Sequence, residues 1–261
     1  MADVGPATTP VPAEPAAPTT GAGSDPVDLA VSAARRQIRA PATAGVVGLA
    51  FAVLFTAAVI LLRAVPLAGA SDADIAAWFA SGGDTQVVIG GLFLAPFSGI
   101  AFLWFVAVVR DQIGDREDRF FATVFLAGGI LFVALLFAAS AVASSLVVGV
   151  RYLDQPPPTA VENELLRALA YTLMFGFASR AAALFMLSTA TVGLRTGAFP
   201  RWFALVGYAV GIALLLVVSF YDWVILALPA WVAFVSVVIL VRERSRHRGA
   251  TGAVPPGHPT D

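Results

Sequence analysis

The sequence predicts an all-α polytopic membrane protein: a transmembrane helical bundle of six spans with both termini in the cytoplasm. Three observations predict it. Hydrophobic residues fill 59% of the 261 positions and charged residues 13%, a composition that excludes a large soluble domain. Apolar stretches of about 20 residues, the length that crosses a hydrocarbon core, recur six times. Arginines alternate between loops. Arg35, Arg36, Arg39, Arg110, Arg116, Arg119, Arg195, Arg201, Arg242, Arg244, Arg246 and Arg248 fall on one side, against Arg63, Arg151 and Arg167 on the other. The positive-inside rule makes the richer side cytoplasmic, and the membrane expected is the plasma membrane.

Residues 1–26 are rich in Pro, Ala and Thr and predict a disordered tail without the apolar core of a signal peptide. Residues 27–43 follow as an amphipathic juxtamembrane helix, capped near Asp25 and Pro26, that lies on anionic lipid through Arg35, Arg36 and Arg39. The membrane domain is residues 44–241. Span one, about Ala44 to Leu62, has a close-packing face of Gly48, Ala52 and Thr56. In the next loop Ser71 and Asp74 form a capping box for a short interfacial helix, with Ile75, Trp78 and Phe79 on one face and Ser81, Gly82 and Gly83 at its end.

Span two, about Val87 to Val109, carries Gly91, Ala95 and Gly99 at four-residue spacing and a kink at Pro96. The turn from Arg110 to Arg119 mixes Asp111, Asp115, Glu117 and Asp118 with three arginines. That balance reads as local salt bridges with Asp115 as a cap, not as a cation site. Span three, about Phe120 to Val150, has a small face of Ala141, Ser145 and Gly149. After Pro156, Pro157 and Pro158, the Thr159 and Glu162 capping box starts the fourth helix before the membrane. Spans five, about Trp202 to Phe220 with Gly207 and Gly211, and six, about Trp223 to Val241 with Pro229 inside it, form a tight hairpin around Tyr221 and Asp222. The glycine pair is read as packing within the chain before homodimerisation. Residues 242–261 are basic and then rich in Gly and Pro. Arg242, Arg244, Arg246 and Arg248 adjoin a span directly, which favours an anchor on anionic lipid headgroups and no nucleic-acid partner.

The chemistry is bounded by what is missing from the chain. There is no Cys and no Lys, and the two histidines, His247 and His258, are both in the C-terminal tail. Thiolate, Schiff-base, haem and histidine–zinc chemistry therefore have no residues to work with, and the expectation is no catalytic residue, no metal and no cofactor. The one charge near the middle of a span is Arg180, between Leu165 and Leu194. Arginine at a bilayer centre costs roughly 2.5–3.5 kcal/mol on insertion scales, so it is expected to face a bundle interior or a wet cavity. Thr172, Gly176, Ala183 and Ser188, with Phe177 and Leu187, share its helical neighbourhood. Glu164, sixteen residues earlier, lies roughly 24 Å away along a helix, beyond a guanidinium's reach. Arg180, Thr172, Gly176 and Ser188 are accordingly the candidate ligand- or partner-binding residues. The alternative for Arg180 is structural, bonding carbonyls freed by Pro96 or Pro229 or nearby hydroxyls.

Two cytoplasmic segments, Arg110, Asp111, Gly114, Glu117, Asp118, Arg119, Phe120, Phe121, Ala122 and Thr123, then Arg195, Thr196, Gly197, Pro200, Arg201 and Trp202, resemble an uncharacterised family of six-span integral membrane proteins of actinobacteria. The resemblance covers about Ala44 to Val241, implies a membrane location and transfers no functional residue. The function expected is a non-enzymatic accessory, scaffold or small-ligand-binding bundle in contact with the lipid bilayer and with a membrane protein partner. The alternative is a small-solute anion transporter that uses Arg180, with Pro96 and Pro229 breaking helices around the site.

Overall fold

A computed structural model describes residues 26–66, 68–113, 119–195, 197, 200–216 and 222–251. It divides into two units, Met1–Arg36 and Gln37–Asp261. The described part of the first is the opening stretch of one helix; the second holds the helical bundle. Every regular element among the described residues is helical: α1 (Pro26–Leu62), α2 (Asp72–Ala80), α3 (Asp84–Val87), a π-helical segment (Val88–Leu94), α4 (Ala95–Ile113), α5 (Arg119–Tyr152), α6 (Ala160–Tyr171), a second π-helical segment (Thr172–Ala178), α7 (Ser179–Arg195), α8 (Arg201–Leu216), a 3₁₀ turn (Asp222–Leu226) and α9 (Ala227–Thr251).

Five of these helices are long and apolar enough to cross a membrane: Thr43–Leu62, Asp84–Arg110, Thr123–Tyr152, Ala160–Arg195 and Val224–Arg242. They leave Val46, Val53, Ile60 and Trp104 more than half exposed, as α8 leaves Leu205, a surface that needs lipid rather than water against it. The protein is a multi-pass membrane bundle. The expected fifth span is described as Arg201–Leu216, roughly 24 Å long against a core of about 30 Å. Residues 217–221, with Tyr221 of the expected hairpin, lie outside the described residues, as do Asp115 and most of the charged turn around it.

The fourth span sits at the centre. In its most apolar stretch 56% of residues are buried, against 28–39% in the other four spans. Alanine explains why: Ala181, Ala182, Ala183 and Ala190 are all buried on α7, and short side chains let neighbours approach. On α5, a Cβ at Gly128 would stand 3.1 Å from the Phe185 backbone nitrogen. On α8, one at Gly211 would meet Leu187 Cδ2 at 2.9 Å, and Gly207 lies under Trp231 and Ala190. Both α8 glycines are thus used within the chain.

An aromatic cluster fills the middle. Phe102 of α4 is fully buried and its ring lies 4.7 Å from Phe51 of α1, 5.3 Å from Phe132 of α5 and 4.9 Å from Phe185 of α7.

Three local expectations change. The helix expected to stop before span one does not: α1 runs unbroken from Pro26 to Leu62. The small face of span three holds at Gly149, which is buried, but shifts one residue back before it. Ser140 and Ser144 are buried while Ala141 and Ser145 are exposed, because the run from Ala138 to Ser145 is small nearly all round and α4 selects which side it meets. Pro229 lies inside the last span, Val224–Arg242, as expected, in the first turn of α9, where a missing N–H is tolerated. At Pro96 the helix widens rather than simply kinking. Ala95 N–H bonds Gly90 O, a five-residue step, so the next donor in that register, for Gly91 O, is the proline nitrogen, which has no hydrogen. Ser140 Oγ donates to Gly91 O at 2.6 Å instead.

Candidate functional site

Where α1, α5 and α6 diverge beneath the Arg63–Asp84 loop there is a cavity of about 210 Å³. Its walls are apolar. Phe55, Ala58, Val59 and Leu62 come from α1, and Leu136, Ala139, Ala143 and Leu146 from α5. Leu166 and Ala170 come from α6, and Met174 and Phe175 from the π-helical segment after it. The alanines account for the space: each leaves unfilled the volume a Leu would occupy between diverging helices.

The loop closes the top. Helix α2 forms as the sequence predicts, with Ser71 Oγ accepting from Asp74 N at 3.3 Å and Asp74 Oδ2 accepting from Ser71 N at 3.0 Å. Its Ile75, Trp78 and Phe79 line the cavity, and Ile75 is buried. Polar ties hold the loop to α5 and α6. Gly69 N donates to Glu164 Oε1 and Ala160 N to Asp72 Oδ1, both at 2.6 Å. Arg151 pairs with the buried Asp84 at 2.6 Å.

The Ser71 hydroxyl and backbone N–H hold the Asp74 carboxyl below the usual carboxylate range. A depressed folded value means that Asp74 stabilises α2 above the unfolded carboxylate pKa, near 4, and that this contribution disappears as pH falls through the lower folded value. Protection of the amides of residues 72–80, measured against the intrinsic exchange rate at each pH, is therefore expected to fall on acidification below about pH 4, and Asp74→Asn is expected to show the lower protection already at pH 7.

Polar side chains enter the cavity from one end only. Arg63, Asn163, Arg167 and Tyr171 line it near the loop and Ser140 partway down, while the far end is Phe55, Ala95, Leu136 and Phe175. Arg167 donates to Pro66 O at 3.0 Å and stands 5.2 Å over the Tyr171 ring. No carboxylate among the described residues is paired with it; Glu164 and Asp72 are spent on backbone amides. Asn163 is 6% exposed. Its backbone N–H bonds Thr159 O, but its carboxamide has no hydrogen-bond partner among the described residues. A carboxamide on the cavity wall offers both donors and an acceptor to a bound polar group.

The four residues chosen from sequence lie elsewhere and are used within their own helix. Arg180 is part-buried and its guanidinium donates to Gly176 O, a carbonyl of the π-helical segment rather than one freed by Pro96 or Pro229. Widening that segment displaces a donor by one position, and side chains supply the missing bonds: Ser179 Oγ donates to Phe175 O. Thr172 Oγ1 donates to Ala168 O and Ser188 Oγ to Leu184 O, both at 2.8 Å. Arg180 and Gly176 are thus together, Thr172 is exposed and Ser188 buried, and none of the four lines the cavity. The residues overlooked, Asn163, Arg167 and Tyr171, follow one another at four-residue spacing. That polar stripe on an otherwise apolar face was readable.

No family model, curated protein or solved structure matches the chain.

Proposed function

We propose that this protein is a non-enzymatic, small-ligand-binding bundle whose site is the cavity beneath α2. The carrying observation is the cavity itself, a preformed apolar space whose few polar lining residues, Asn163 and Arg167 among them, gather near the loop. Few, placed polar groups in an apolar pocket are what ligand sites share. The topology that goes with this reading is six spans of the plasma membrane, of the kind the two turn segments resemble. Both termini are cytoplasmic, α2 lies on the outer surface, and the basic C-terminal segment rests on anionic lipid. Anion transport at Arg180 gains no comparable support, since its guanidinium is held by its own helix.

Native mass spectrometry of the protein released gently from its own membrane tests the reading. The expected result is a small-molecule adduct on the wild type that is absent from Ala143→Phe, in which the added ring occupies the cavity. Identical spectra from two folded proteins would overturn it.

A further inference from the structure

The cavity is graded along its length, and the grading specifies its ligand. From Phe55 on α1 to Arg63 just past its end the lining spans eight residues, roughly 12 Å along the helix axis. A volume of about 210 Å³ exceeds the ~150 Å³ of an apolar cavity that takes benzene, yet is too small for a two-tailed lipid. That space suits one alkyl chain of about ten carbons. The end that meets water is cationic and hydrogen-bonding. Arg167 faces no carboxylate among the described residues and spends one donor on Pro66 O, and a guanidinium carries five. Asn163 adds an unused carboxamide beside it, one turn away on the same helix face.

Resting on the ligand-binding reading above, we propose that the ligand is a single-chain amphipath with an anionic oxygen-bearing head. Its chain lies between α1, α5 and α6, and its head is held by Arg167 and Asn163. A neutral head loses the charge-assisted bonds and a cationic one is repelled. A carboxylate on a fatty chain and a phosphate on a single-chain lipid share this chemistry.

Trp78 on the cavity wall provides a readout. The full-length protein in nanodiscs is titrated with 11-bromoundecanoate, and separately with 11-bromoundecanol, each expressed as mole fraction in the bilayer. The bromine quenches a tryptophan in contact with the chain. Saturable quenching by the carboxylate is expected, absent from Trp78→Phe and at least tenfold tighter than by the alcohol, the ratio expected for charge-assisted over neutral hydrogen bonds. Arg167→Gln is expected to weaken the carboxylate about tenfold or more and leave the alcohol unchanged. Arg167→Lys, which retains the charge, keeps most of the preference. Asn163→Leu, which removes the amide without touching the charge, weakens the carboxylate as well. An alcohol that binds as tightly as the carboxylate, with Arg167→Gln indifferent, would overturn the anionic head and leave the cavity as a binding site. No quenching of Trp78 by either probe would overturn the amphipath itself, and the adduct in native spectra then decides separately whether the cavity binds anything. To separate the two natural sources, undecyl phosphate is used to displace bromoundecanoate: displacement at equal mole fraction identifies the shared anionic chemistry, and its failure restricts the site to carboxylates.

Discussion

Phe102→Ala is expected to be the most damaging single truncation in the bundle. The ring is fully buried and touches rings from three other helices, Phe51, Phe132 and Phe185. In a bilayer the transfer part of the usual penalty shrinks, because lipid tails are as apolar as the core. What remains is the lost packing. At ~24 cal/mol per Å³, a void on the order of 100 Å³ costs roughly 2 kcal/mol. Phe93→Ala, at a site 55% exposed, forfeits little of that packing. Reversible unfolding in mixed micelles is expected to rank Phe102→Ala far below Phe93→Ala; equal losses would mean that the cluster does not hold α1, α4, α5 and α7 together.

The second large effect is at Gly91, and its signature is rescue. A methyl placed there runs into Ser144 Oγ and comes within 3.3 Å of Leu62 Cδ2, so Gly91→Ala is expected to cost about 1–3 kcal/mol as an overpacked site. Ser144→Ala alone is expected to be neutral or slightly stabilising, since that hydroxyl is buried without a hydrogen-bond partner among the described residues. Combined, the two should recover most of the loss: with Oγ gone, the new methyl meets only Ser144 Cβ on that side, at an ordinary 3.4 Å. The coupling between them is expected at about 0.5–3 kcal/mol. Strictly additive losses in the same unfolding assay would show that α5 does not approach the second span here.

Local chemistry was the legible part of the sequence. Both capping boxes, Ser71 with Asp74 and Thr159 with Glu162, form as spacing predicts, because a cap is decided within four residues. So were five of the apolar spans, since length and composition suffice for them. Rotation of a helix about its axis was less so. In the run from Ala138 to Ser145 nearly every residue is small, and periodicity alone cannot choose Ser140 and Ser144 over Ala141 and Ser145. Of the two π-helical segments, one precedes a proline that flagged trouble. The other, Thr172–Ala178, has no such marker. The cavity was invisible for a different reason: empty volume belongs to pairs of helices, and no single stretch encodes it. Arg180 drew attention through its charge, yet a charge is only conspicuous until its own backbone answers it. Asn163 and Arg167 looked like the ordinary start of a helix.

Phe55 has two neighbours of different kinds. One face of its ring closes the cavity floor, while the ring itself packs 5.5 Å from Phe51 and 6.1 Å from Phe132, which lead on to Phe102 and Phe185. The rings therefore block the cavity on the Phe55 side. A molecule that enters near Arg167 meets a plug of five phenyl rings and leaves by the door it came through. Under the proposed ligand-binding reading, a guest exchanges through the end near Arg167, which fits storage or sensing better than passage across the membrane.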